Sequence, residues 1–403
     1  MERTETTRRT LIQGAAAGVM ALATTELQAK PRRAKRLIGY TEFRTNLPGG
    51  RHANITTMRA CIVREDGTGR RVLAEALTEE PNSWTQFAGW SPDGRAAIIG
   101  RGWESKENGA WEEAHKTFRF NEGWLYDMHL LDLQTGKSFN VTAVDRVSSY
   151  NTGLFYWPQK RNTLGFQALI QGDSHPFSMD SDGRNKKDLT EGSREFAYGF
   201  NATRDGKRIA YHKNYQIWIA DADGSKATHI QTGAPFNFVP QWSPDGERLL
   251  FLSGEHYDCH PYTVRRDGSE LRRAGDRKGY RGVVEFLDVF DFHGGSSDTP
   301  VWSADGDAIF YTAKSGDSVE LMRATLDGKS EQITHSVGST LHYHPTPAPE
   351  GGKLLLGSNR SGVRQLYVMP TGGGKPRAIT SVKEGHGALW GHWQPQPILA
   401  HGE

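Results

Sequence analysis

One phrase recurs along the chain and limits what it can fold into more than any other feature. It reads WSPDGRAAIIG from Trp90, TRDGKRIAYHK from Thr203, WSPDGERLLFLSG from Trp242, WSADGDAIFYTAK from Trp302 and PAPEGGKLLLGSNR from Pro347, with a weaker copy, WPQKRNTLGFQA, from Trp157. Each sets a turn of the Asp-Gly kind before an alternating or apolar run of strand length, which is the signature of a hairpin. A second phrase follows each first one: a short strand, a glycine turn and another strand. Its turn glycines are Gly67, Gly136, Gly183, Gly224, Gly268, Gly328 and Gly372, spaced about 41 to 69 residues apart. Four-stranded units at this kind of spacing are propeller blades. The copies predict an all-β, seven-bladed β-propeller of four-stranded blades. The first second-type phrase, CIVREDG, has no leading copy before it, and GHGALWGHWQPQP from Gly385 repeats the Trp-centred entry of the other blades. A C-terminal strand is therefore expected to complete the first blade, whose other strands run from Leu37 onward. Closure of this kind removes open sheet edges.

Composition agrees with many short strands and turns: 46 Gly, 11 Trp, 13 Tyr and 17 Phe in 403 residues, with 36% hydrophobic. The net charge of +2 gives no global field that recommends nucleic acid as a partner. Cys61 and Cys259 cannot form a disulfide framework and are expected to be unpaired. The segment TTRRTLIQGAAAGVMALATTELQA pairs Arg8 with Arg9 ahead of an apolar run from Leu11 to Ala23, with small-residue cleavage candidates at Ala23 and Ala29. It resembles a bacterial Tat signal, which implies export of an already folded protein to the periplasm or outside the cell. The expected organisation is a signal over 1–29 and one propeller domain over 30–403. The apolar run is too short and Ala/Gly-rich to span a membrane comfortably, and no later segment is expected to cross one.

Lettering the strands of a blade a to d from the channel outward, the loops into strand a and those from b to c share one face. The entry loops offer Gln86, Asn151, Glu195, Asn237, His293, Asp298, His342, His344 and His386. Imidazoles from three successive entries suit a divalent transition metal, so His293, His342 and His344 are the candidate ligands. Strand alternation would carry His342 and His344 to the same side. HYDCH, from His256 to His260, also has the look of a metal site, but Cys259 is expected to be a buried strand residue. The b-to-c loops offer Arg44, Arg51, His52 and Asn54, then Arg101, His212 and Lys213, Glu255 and His256, Lys314, and Asn359 and Arg360. Such a rim favours a carboxylate, sulfate or phosphate ligand, unless its charges pair with Glu104, Glu107 and Glu255. The insertion RGWESKENGAWEEAHKTFRFNEGW would overhang the mouth with Trp103, Trp111 and Trp124, available to stack on sugar rings or on their own loop. A second long excursion, from Asp276 to Thr299, delivers His293.

No nucleophile elbow, P-loop or dinucleotide fingerprint is present. A metal beside a cationic rim suits β-elimination on a uronate-containing saccharide: cations neutralise the sugar carboxylate and the anion it forms, and a base takes the adjacent proton. His256 or His212 are the candidate bases. Arg44, Arg51, Arg101, Trp103, Lys213 and Arg360 are the candidate substrate contacts.

The repeats, and GSNRSGVRQLYVMPTGG above all, resemble TolB-like, PD40-type propellers over nearly all of the chain after its leader. That resemblance implies a periplasmic protein-interaction or glycan-binding scaffold, although the separate amino-terminal domain of TolB has no counterpart here. The His-x-His pair at His342 and His344 ahead of a degenerate turn motif, with His293 before the preceding blade, resembles the oligogalacturonate lyase family. This second resemblance implies manganese held by histidines and a glutamine. The positions upstream of His342 are Gly338 and Ser339, so the glutamine has no match.

Overall fold

The computed structural model describes residues 35–395 except 118, 120, 121, 148–152, 161, 171, 172, 191–194, 288–290, 292 and 293. Seven antiparallel sheets of four strands form a ring of blades. Six blades are built from consecutive strands. The first is composite: the late strand His386–Trp393 pairs with Leu37–Arg44, which pairs with Arg59–Arg64 and then Arg71–Val72. Gln394 fastens this latch at both ends, accepting from the Leu37 amide at 3.1 Å and donating to the Gly94 carbonyl at 2.8 Å. The closed seven-bladed propeller expected from the repeats is the fold observed.

The recurrent phrase is explained by two sets of hydrogen bonds. In the a-to-b turn of blade 2, the Ser91 hydroxyl donates to Asp93 at 2.6 Å and accepts the Ala96 amide at 2.8 Å, while Asp93 accepts the Arg95 amide at 3.0 Å. Gly94 supplies the left-handed φ of 70° that the turn requires. The same serine–aspartate or threonine–aspartate couple recurs at Ser243/Asp245, Ser303/Asp305 and Thr203/Asp205. In these three copies the hydroxyl hydrogen bond holds the carboxyl below its ordinary range.

The tryptophan has a different task, which is to join blades. Indole Nε1 of Trp90, Trp302 and Trp393 donates to the carbonyls of His392, Gln241 and Thr346 at 3.1, 3.2 and 2.9 Å. Each acceptor lies on the innermost strand of the preceding blade. Blade 7 has Pro347 and blade 4 has Ala202 where the others have tryptophan, which is why the copy in blade 7 looks worn. Its c-to-d turn also departs from expectation: the left-handed residues are Gly373 and Gly374 rather than Gly372.

Most hydrophobic clusters sit between neighbouring blades, for example Ile38, Tyr40 and Trp393 of blade 1 against Leu355, Leu366 and Val368 of blade 7. Cys61 and Cys259 are both buried and free, as expected from their separation. Among the described residues no helix is long and apolar enough to cross a membrane. The proposed leader lies outside the described residues.

Candidate functional site

The mouth, where the b-to-c and entry loops gather, carries three short helices: α1 (Gly50–Ile55), α2 (Lys106–His115) and α3 (Val283–Phe286). The last belongs to the long excursion before blade 6 and leans onto blade 7. Phe286 stacks on Tyr343 with centroids 4.5 Å apart, and its carbonyl accepts from Arg364 Nε at 2.6 Å.

The innermost strand of blade 7, His342–Pro347, is not a regular strand. Its register against Lys353–Ser358 slips between Tyr343 and Thr346, and His344 sits in the left-handed region at φ 51°. Val239 and Trp390, at φ 51° and 52°, mark the same bulge in blades 5 and 1. A bulge re-aims the side chains around it. The alternation that would carry His342 and His344 to one side is thereby broken.

The two histidines consequently have separate surroundings. His342 is 1% exposed, with Nε2 3.0 Å from the Ser336 hydroxyl and 3.6 Å from Glu320. Glu320 is itself held by Ser318, Thr334 and the Ser336 amide. Burial pushes the His342 imidazole down to about 4, against the pull of Glu320. His344 instead rests on buried Asp298, which accepts its backbone amide at 2.9 Å and lies 3.5 Å from its Nδ1. Asp298 also accepts the hydroxyls of Tyr280 and Thr312 at 2.8 and 2.9 Å. Phe286 meets the His344 ring edge-on at 5.0 Å and Trp390 flanks it at 6.1 Å. His293, the third expected ligand, lies outside the described residues. Among the described residues no group of three or more His, Cys, Asp or Glu side chains is arranged to hold a metal ion. The two described members of the trio turn one ring nitrogen each to a different carboxylate, and the other nitrogens, His342 Nδ1 and His344 Nε2, are buried without a hydrogen-bond partner.

The cationic rim divides into two parts. Arg51 is bound by Glu112 and Glu104, Arg101 reaches back to Glu80 at 2.6 Å, and Lys213 pairs with Glu195 at 2.6 Å while lying 4.0 Å over Trp218. Lys314 is similarly held by Glu285 at 2.9 Å. By contrast, Arg44, Arg360 and Arg364 have no carboxylate partner among the described residues. They gather on blades 7 and 1. Arg44 lies opposite His386 in the sheet, and a Cβ added to the next residue, Gly387, would stand 3.4 Å from Arg364 Cβ. The Arg44 Nε is buried without a hydrogen-bond partner, and Arg360 lies over Tyr367 at 5.9 Å. Arg364 was not singled out in the sequence; the signal was the second arginine of RSGVR, where the b-to-c turn runs back into strand c.

The remaining expected residues are scattered around the mouth. His212 is fully buried among Tyr198, Tyr215 and Phe238, and its Nδ1 accepts the Val239 amide at 3.4 Å. His256 is exposed and edge-on to Tyr215 and Phe236, so one tyrosine ring stands between the two candidate bases. Trp103 is half-buried on strand b of blade 2. Trp111 stacks on His115 at 4.1 Å, and Trp124 donates to the Arg119 carbonyl at 2.8 Å, so both rings serve their own loop. His260 bears on Asp258 and Asp276, while the Cys259 thiol is buried beside Arg277 at 3.5 Å.

No protein-family profile matches the chain. An uncharacterized protein of Agrobacterium fabrum is 33% identical over 141 residues, covering 34% of this chain and 45% of that protein. A TolB homolog of Chlorobium luteolum is 26% identical over 186 residues, covering 46% of this chain and 37% of the homolog. The matches span less than half the length of these curated relatives. Among solved structures, an oligogalacturonate lyase in complex with manganese superposes with a TM-score of 0.53 at 14% identity, over 88% of this chain and 89% of the lyase. The resemblance to TolB-like propellers read from the repeats is borne out, and the lyase shares the propeller fold.

Proposed function

We propose that the protein is an exported propeller that binds an anionic, uronate-containing oligosaccharide at the mouth over blades 7 and 1. One observation carries this reading: Arg44, Arg360 and Arg364 lack carboxylate partners among the described residues, whereas Arg51, Arg101, Lys213 and Lys314 each have one. A guanidinium without a carboxylate partner is stabilised by an anionic ligand that presents carboxylates in its plane. Binding through these arginines needs no metal. Turnover by β-elimination would require a neutral base beside the bound uronate, and His256 is the exposed imidazole of the rim.

The test is calorimetric titration of the leaderless protein with oligogalacturonate. Saturable binding that weakens about tenfold or more in Arg44→Ala/Arg360→Ala, with melting unchanged, supports the reading. Absence of binding, or equal affinity in the variant, overturns it. New ultraviolet absorbance from unsaturated product would extend it to a lyase. The likeness to a TolB homolog favours a second reading, a protein partner on the same surface, which predicts binding of an acidic peptide and none of the saccharide. Export through Arg8 and Arg9 belongs to both readings, and is tested by whether Arg8→Lys/Arg9→Lys leaves the protein in the cytoplasm.

A further inference from the structure

Blades 1 and 2 each send a helix over the mouth, and the two helices meet through ionisable side chains. Arg51 of α1 binds Glu112 of α2 and lies 3.5 Å from Glu104, at the end of strand b in blade 2. His52 of α1 has Nδ1 3.0 Å from the other Glu104 oxygen. Between the carboxylates, the Asn108 side-chain amide donates to Glu104 at 2.9 Å and to Glu112 at 3.2 Å. The Arg119 amide donates to Glu112 at 3.0 Å. Glu104, Asn108 and Glu112 are 1, 1 and 2% exposed. The His52 ring lies so close over Gly109 that a Cβ there would approach it to 2.4 Å.

The charges in this enclosed space depend on one proton. With both carboxylates ionised and His52 neutral, Arg51 leaves one uncompensated negative charge, and burying a lone charge is strongly unfavourable. A single proton on Glu112 or His52 brings the sum to zero. Further protons leave Arg51 without a counter-charge. The other charged groups of these elements stand aside. Glu113 accepts the Arg51 amide at 3.3 Å and pairs with Lys116 at 2.7 Å. His115 and Arg119 attend Trp111, and Lys106 and Glu107 are exposed.

We propose that the α1–α2 contact is a proton-operated clasp, closed over an intermediate pH range and released above and below it, which fixes the loops of blades 1 and 2 across the mouth. Two shifts in ionisation agree with this geometry. Burial pushes the Glu112 carboxyl up, against the Arg51 charge, so its contribution is present below the ordinary carboxyl range and is lost as pH rises through the raised value. Burial opposes ionisation of Glu104 as well, but the His52 hydrogen bond and the Arg51 charge hold that carboxyl low. Its contribution is therefore present above the ordinary range and is lost as pH falls through the lowered value. The clasp uses none of the three arginines assigned to the ligand, and it stands whether or not that ligand is bound.

The experiment is hydrogen exchange by mass spectrometry on the leaderless protein from about pH 2.5 to about pH 9, corrected for intrinsic rates. Segments 45–58 and 105–123 are expected to gain and lose protection together, with a maximum between the extremes and a loss of about tenfold or more on each side. In Glu112→Gln the alkaline loss should vanish while the acid loss remains. In Glu104→Gln the acid loss should shrink while global melting stays cooperative. Flat protection, independent behaviour of the two segments, or an unchanged alkaline loss in Glu112→Gln would each overturn the clasp.

Discussion

The two ends of the propeller obey different rules. At the turn end one device recurs: in blades 2, 5 and 6 a serine hydroxyl bonds to an aspartate and a glycine takes a positive φ, and in blades 2 and 6 an indole reaches the preceding blade. At the mouth the blades diverge: blades 4, 5 and 6 close strand b to strand c with a two-residue hairpin, but others do not. One holds a helix, the next a longer helix, a third an excursion that leans on its neighbour. The turn end has a local problem, reversing a strand within four residues, and local chemistry solves it the same way each time. The mouth has no requirement common to all seven blades: Arg101, Lys213 and Lys314 pair within their own blades, whereas Arg51 pairs across to blade 2.

The sharpest challenge to that division is the latch. Deleting 386–395 removes the strand that pairs Leu37–Arg44 and the buried side chains Leu389 and Trp393. The expected loss is about 5 kcal/mol or more, read by denaturant unfolding. A truncated ring that melts like the intact one would break the comparison at its base. Next comes acid. His342 is held neutral by burial, with its titration moved down to about 4, so the unfolded chain binds a proton there before the folded one does. Stability should fall by roughly 2 kcal/mol as pH drops from about 6.5 to about 4, and less in His342→Asn. Equal acid sensitivity in both proteins would remove His342 from the account.

Single repeated contacts are worth less. Trp302→Phe deletes one interblade hydrogen bond and should cost about 1 to 2 kcal/mol, and Asp245→Ala, which opens a turn, about 1 kcal/mol. Thermal melts of both variants measure the turn end directly. The smallest expected effect belongs to the mouth: Arg360→Ala should change stability by no more than about 0.5 kcal/mol, since the exposed side chain has no carboxylate partner to lose among the described residues. If Arg360→Ala melts as low as Trp302→Phe, the mouth is structural after all and the division fails.

What could be read from the chain follows the same line. Blade number, closure and the burial of Cys259 were legible because Asp-Gly turns, alternation and Trp-centred entries are short-range marks. The bulge at His344 was not, because it is a backbone detour shared with Val239 and Trp390, and no common residue type announces it. A parity argument over three residues fails when the middle of the strand changes hand. The rim was legible as a set of cations, but not as paired and unpaired ones. Glu80 and Glu112, which hold Arg101 and Arg51, lie 21 and 61 residues away from them in sequence. Partners that distant are found by the fold alone.

The composite first blade also has a consequence for synthesis. Strand Leu37–Arg44 emerges among the first and waits, one edge bare, for a partner that is translated more than 300 residues later. Six blades can assemble in order behind it, yet none of them covers that edge. A chain interrupted anywhere short of Trp393 therefore carries a visible defect, an unpaired strand of the kind that aggregates or recruits quality control. Only pairing with His386–Trp393 removes that edge.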